Sequence, residues 1–285
     1  MSQTWKIGDV TITKIVESET VGGGEWILPD AKPEAVGEID WLVPHFANRE
    51  GKLRFSIHAL VVETPSLTMV VDTCVGNDKD RMPYRLWHRL QNDFLGDFAA
   101  AGFDPAKVDR VLCTHLHVDH VGWNTMLVDG AWVPTFPNAR YLMARAEFEH
   151  WNNDDEEFQQ TVMGDSVTPV FEAGLVDLVD LDHQVCEEVD LVPTLGHTPG
   201  HVSIRIRSGG AQALITGDFI HHPCQLARVD WASSADSDKS EAEATRRRVF
   251  EEHAGTPTLV IGTHFATPTA GRVVRDGDAY RLATD

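Results

Sequence analysis

Within the stretch Thr114-His115-Leu116-His117-Val118-Asp119-His120 the chain places three imidazoles and a carboxylate. Imidazole nitrogen and carboxylate oxygen are the donors that borderline divalent cations favour, and four such groups at this spacing are hard to bury together without a cation. A lone histidine is more often a packed or solvent-facing residue. Three in six positions, from a chain with 14 histidines in 285 residues, has no packing rationale. The chemistry implied is that of a metal site.

Such a site has to be carried by something rigid. Residues 108–113 form an apolar run after the stop signal Gly102-Phe103-Asp104-Pro105, which reads as a short buried strand with the histidine-rich loop at its end. The same arrangement recurs. Asp72 follows Val70-Val71, His197 lies in the turn Gly196-His197-Thr198-Pro199-Gly200-His201 after an apolar run, Asp218 ends the run 211–217, and His264 follows Thr258-Leu259-Val260-Ile261-Gly262-Thr263. Five strand ends thus carry Asp72, His115 to His120, His197, Asp218 and His264, and that repetition outweighs any one motif. Two β-rich halves with ligands at strand ends and helices outside give an α/β expectation, a four-layer αββα sandwich.

With these elements in order, the sequence resembles the metallo-β-lactamase-fold superfamily, nearest the branch of N-acyl-homoserine lactonases and methyl parathion hydrolase. The resemblance rests on His115-Leu116-His117-Val118-Asp119-His120, Asp72-Thr73-Cys74-Val75-Gly76-Asn77, the 196–201 turn and Thr216-Gly217-Asp218. It implies two divalent ions, zinc foremost with Mn2+, Fe2+ or Co2+ as substitutes. His115, His117 and His197 would bind one, Asp119, His120 and His264 the other, and Asp218 both. Asp72 would hold a ligating histidine in its tautomer.

The implied reaction is hydrolysis, in which a metal-bridging hydroxide attacks a lactone or related ester carbonyl, with Asp119 as proton shuttle. Organophosphate triester and β-lactam or thioester hydrolysis are the alternatives, and a mononuclear iron oxidoreductase of the persulfide-dioxygenase kind is the rival from another class. Diiron redox relatives carry Glu where His117 stands, which favours hydrolysis. Quorum-quenching lactonases carry a Tyr proton donor three residues after the bridging Asp; here the position is His221, followed by His222. An imidazole at 221 is the candidate proton donor. Trp26, Trp41, Trp123 and Phe265 are candidates for an apolar acyl pocket, with core or lid packing as the plainer account of each.

Composition bounds the partners. With 24 Lys plus Arg against 44 Asp plus Glu, the formal charge is −20, a surface that repels phosphate backbones and disfavours nucleic acid. Cys74, Cys113, Cys186 and Cys224 are scattered and read as reduced thiols of a cytoplasmic protein. The N-terminal stretch lacks a basic region followed by an apolar one, and no apolar run approaches membrane-spanning length. The partner expected is a small ester or lactone.

The remaining expectations concern elements. Residues 1–285 are read as one domain, with a strand or hairpin over 5–16 and strands over 53–63 and 67–72. An irregular excursion over 17–50 is read as a lid, a homodimer contact or a packed surface loop. Helices are expected over 82–101, 145–151 and 240–254, the last with Ser240 and Glu243 as its capping box.

Overall fold

The computed structural model describes residues 3–284 of the chain. They form two compact units: residues up to Glu17 with Ile57–Leu181, and Ser18–Ser56 with the residues from Asp182 onward. Among the described residues no helix is long and apolar enough to cross a membrane.

The first sheet has seven strands in the order β1 (Thr4–Ile7), β2 (Val10–Val21), β3 (Arg54–Glu63), β4 (Thr68–Val71), β5 (Arg110–Leu112), β8 (Arg140–Ala144) and β9 (Val176–Val179). A separate hairpin, β6 (Thr125–Val128) with β7 (Ala131–Pro134), interrupts the sequence. The opening segment is a hairpin, with Ile7 paired to Val10. From β4 onward the neighbours run parallel, Val71 beside Leu112 and Leu112 beside Leu142. Parallel strands end on the same edge of a sheet, so Asp72 after β4 and Thr114 after β5 emerge side by side. The apolar faces bury Phe94, Phe98, Phe136, Tyr141 and Trp123 in one core.

The second sheet runs β10 (Val189–Pro193), β11 (Val202–Ser208), β12 (Ala211–Ile215), β13 (Leu259–Ile261), β14 (Ala270–Asp276) and β15 (Ala279–Ala283). β10, β11 and β12 alternate in direction, whereas β12 and β13 are parallel, Ile215 beside Ile261. The C-terminal ends of β10, β12 and β13 therefore share one edge, and they lead into His197, Asp218 and His264 respectively.

Two sequence expectations need correction, the helix over 82–101 and the capping box at Ser240. The helix expected over 82–101 exists only as Phe94–Ala100, with Phe94 and Phe98 buried. Leu86, within the expected span, is 83% exposed. The preceding chain is drawn inward by charge instead: Arg81 grips both oxygens of Asp165 at 2.7 Å, and Lys79 reaches Thr125 Oγ1 at 2.8 Å and Asp165 Oδ1 at 3.4 Å. Left-handed Asp78 (φ 67°) and Arg89 (φ 50°) interrupt any helical run across this segment. The long helix is Lys239–His253, capped by Asp238, whose Oδ1 accepts from Ser240 N and Glu241 N; Ser240 is not its cap. The 17–50 segment finishes β2, makes short helical turns at Gly24–Ile27, Pro33–Val36 and Asp40–Leu42, and buries Leu28, Leu42 and Phe46 in the second unit's core. Sequence periodicity also gave no notice of the β14–β15 hairpin.

Lys79 is fully buried, and burial lowers its amine to about 7, with Asp165 opposing the shift. An unfolded lysine stays protonated up to about pH 10.4. Between those values the unfolded chain holds the extra proton, so this group makes stability rise with pH, by up to about 1.4 kcal/mol per unit. Urea unfolding from pH 7 to 9.5 is expected to show the gap between wild type and Lys79→Met shifting toward wild type as pH rises; a gap independent of pH overturns this account.

Candidate metal centre

In the first unit β5 delivers Thr114 and His115 directly, and the loop closes on itself, with His120 N bonded to the His117 carbonyl. His115 Nε2 lies 3.1 Å from His117 Nδ1, and the His115 and His120 ring centres are 4.0 Å apart. Asp119, whose side chain is 14% exposed, brings Oδ1 to 3.8 Å from His120 Nε2. Asp72 backs this group: Oδ2 accepts from His120 Nδ1 at 2.8 Å and from Thr114 Oγ1 at 2.8 Å, and Oδ1 from Thr114 N at 2.8 Å. Asp72 is buried in the left-handed conformation (φ 54°), so strand β4 ends in a sharp turn that aims its carboxylate at the neighbouring loop. Gly122 is required just after the motif. A Cβ there would lie 1.9 Å from the Val75 carbonyl oxygen.

In the second unit Asp218 is the hub. Its Oδ2 lies 3.1 Å from His264 Nε2, 3.2 Å from His221 Nε2 and 3.8 Å from His197 Nε2, and its Oδ1 accepts from Thr263 Oγ1 at 3.0 Å. His197, Asp218 and His221 each offer a donor atom within 4.8 Å of the others. Gly196 makes the turn before His197 feasible: its φ is +114°, and a Cβ would meet Ala242 N at 2.1 Å.

The hydrogen bonds fix tautomers. His264 Nδ1 donates to the Ser56 carbonyl at 3.2 Å, His120 Nδ1 to Asp72, and His197 Nδ1 to Asp236 Oδ1 at 3.0 Å. Thr114 Oγ1 gives its proton to Asp72 and so accepts from His115 Nδ1 at 3.1 Å. Each of these four rings then carries its lone pair on Nε2. That is the donor set a divalent cation of the zinc type takes, with the outer groups oriented as metal-binding imidazoles need them.

Asp236 was not singled out from the sequence. It lies in a loop with no local motif, far along the chain from His197, and only the fold brings the two together. It is fully buried, accepting from Ser233 N at 2.9 Å and from Arg246 Nη1 at 3.4 Å. His201 braces the turns around Asp218: its Nε2 accepts from Asp218 N at 2.7 Å, and its Nδ1 faces Thr194 Oγ1, which meets Ser203. His222 is no surface residue. Burial lowers it to about 3, and the neutral ring donates to the Phe46 carbonyl at 2.9 Å while accepting from Cys224 N. Trp123 and Phe265 are core residues rather than pocket walls, Trp123 stacked on Phe94, whereas Trp26 is 53% exposed.

Zinc affinity, measured by competition with a chelating dye, is expected to fall 10–100-fold in Asp236→Ala. Asp190→Ala, which removes only the partner of Arg205 and Arg207 on β10 and β11, is expected to leave it unchanged. Equal affinities in the two variants would remove Asp236 from the site.

A family model described as the metallo-beta-lactamase superfamily matches residues 54–273. An N-acyl homoserine lactonase of Bacillus sp. is 29% identical over 107 residues, which cover 38% of this chain and 36% of that protein. N-acyl homoserine lactonase AttM of Rhizobium radiobacter is 28% identical over 139 residues, 45% and 48% of the two chains. The matches thus span from about a third to about half of these curated relatives. Among solved structures, AidC, a dizinc quorum-quenching lactonase in complex with a product, shares the fold at TM-score 0.80 and 19% identity, over 100% of this chain and 97% of that one. The hydrolase AbOPH does so at TM-score 0.80 and 22% identity, again over 100% and 97%. With its mixed α/β architecture and a family match running from β3 into β14, this chain belongs to the metallo-beta-lactamase superfamily.

Proposed function

We propose that the chain is a metal-dependent hydrolase that opens a lactone or a related carboxylic ester. His115, His117, Asp119, His120, His197, Asp218 and His264 would hold two divalent ions, with zinc as the metal. The observation that carries this reading is the set of four imidazoles whose Nδ1 atoms are bonded to Thr114, Asp72, Asp236 and the Ser56 carbonyl, which puts the lone pair of each ring on Nε2, the nitrogen a cation would take. The superfamily match and the lactonase names of the curated relatives supply the reaction class. When bound, such a pair of ions acidifies water toward neutral pH and polarises the substrate carbonyl.

The chain's own groups do the rest. Asp119, the partly exposed carboxylate of the motif, would carry a proton between water and the leaving oxygen. His221 occupies the position of the lactonases' proton-donating Tyr, its Nε2 3.2 Å from Asp218 and its buried Nδ1 without a hydrogen-bond partner. We assign it the protonation of the departing alkoxide. Asp72 and Asp236 take no part in proton transfer; they hold rings.

Purified protein with its metal quantified is expected to carry two zinc ions per chain and to open N-acyl homoserine lactones or simple lactones. Chelation should abolish turnover and zinc restore it, with phosphotriesters and thioesters as comparison substrates. One iron per chain with oxygen consumption would overturn the reading in favour of an oxidoreductase. His221→Ala is expected to keep both ions and lose 10²–10⁴-fold in kcat; loss of metal would make His221 a ligand instead.

A further inference from the structure

Two buried carboxylates outside the ligand set hold the histidine-rich loop of the first unit in matching ways. Glu17, on β2, accepts from Val75 N at 2.9 Å through Oε2, and from Gly76 N at 3.0 Å and the Trp123 indole at 2.8 Å through Oε1. Glu147, in the helix Arg145–Asn152, accepts through Oε1 from Leu116 N at 3.1 Å and from the Trp151 indole at 2.6 Å. Each carboxylate therefore ties one indole to the backbone, Glu17 through two amides and Glu147 through that of Leu116.

The amides are informative. Leu116 lies between His115 and His117, and its carbonyl is held from the other side by Gln159 Nε2 at 2.8 Å. The ring of Trp151 stands 5.2 Å from that of His117. Val75 and Gly76 belong to the turn that carries Asp72, where Asp72 (φ 54°), Cys74 (φ 54°) and Gly76 (φ 81°) are all left-handed. For the two non-glycine residues that conformation is strained, so it persists only where the surroundings hold it. The turn is joined to the end of the motif by Thr73 N to the His120 carbonyl, Gly122 N to the Cys74 carbonyl and Trp123 N to the Thr73 carbonyl, each at 2.7 Å. Glu17 closes this arrangement, and Asp72 passes it on to His120 Nδ1.

We infer that Glu17 and Glu147 are positioning residues for the metal-binding loop, Glu17 setting His120 through the Asp72 turn and Glu147 setting His115 and His117 through the peptide between them. The inference rests on the proposed metal site and concerns what builds it. Chemistry separates the two acids. Glu17 uses both oxygens, so a glutamine there turns an amide donor toward either Val75 N or the Gly76 and Trp123 donors. The contacts of Glu147 with Leu116 N and the Trp151 indole both fall on Oε1, an oxygen that glutamine also offers.

The test is zinc affinity by dye competition on the intact chain, with the urea midpoint of the metal-free protein read in parallel. Glu17→Gln is expected to lose about tenfold or more in affinity, Trp123→Phe less, and Glu147→Ala about as much as Glu17→Gln. Glu147→Gln is expected to recover most of the Glu147→Ala loss. If wild type binds zinc while Glu17→Gln and Glu147→Ala bind within about twofold of it, the inference fails and the site stands. If wild type itself does not bind zinc, the metal reading has failed first.

Discussion

An imidazole can lend a metal only the nitrogen that its own hydrogen bonding leaves unprotonated, and much of the local structure around these histidines serves that restriction. Four rings donate through Nδ1, to a hydroxyl, two carboxylates and a backbone carbonyl. The acceptors are fixed in turn. Asp72 takes Thr114's amide and hydroxyl, Asp236 takes Ser233's amide and Arg246, and Ser56 donates its own N–H back to the His264 carbonyl at 3.0 Å. A ring so held can turn neither its tautomer nor its plane.

Holding carboxylates in this way concentrates buried negative charge, which the chain manages with neutral donors at Glu17 and with a cation at Asp236. Glu17 receives three N–H groups and still has its carboxyl raised above the ordinary range, because burial outweighs the hydrogen bonds and Asp119 adds repulsion. The opposite imbalance occurs around Asp165, where one carboxylate faces both Lys79 and Arg81, each fully buried. There the amine yields, and its basicity falls. In the second unit Asp236 and Arg246 form a fully buried pair, and Arg246 is also lowered by burial. Breaking such a pair exposes an uncompensated charge to a low-dielectric interior.

The 17–50 segment shows how a stretch without periodicity can still be core. Its apolar residues are spread between glycines and prolines, so neither helix nor strand spacing organises them. Leu28, Leu42 and Phe46 are nonetheless buried with Phe219, Phe250 and Phe265, and His222 fastens the Phe46 carbonyl. Burial of this kind is set by the shape of the surface it covers.

The sequence by itself determined the family and the strands that lead into the histidines and aspartates. Short apolar runs ending in His115, His197, Asp218 and His264 are local features, and local features survive without knowledge of the fold. It also identified Asp72, because that residue ends a strand just before a glycine-bearing turn. Only the tertiary structure decided what stands behind the histidines. Asp236, Glu17 and Glu147 carry no spacing signal toward the loops they hold, being 39, 58 and 31 positions from His197, Val75 and Leu116. The same holds for residues 82–93, where helical spacing was overruled by Arg81 and Lys79 turning inward to an acid more than eighty positions away. Periodicity reports which face of a short segment is apolar; it carries no information about a hydrogen bond or ion pair between distant segments, which exists only once the backbone has brought the two within about 3 Å.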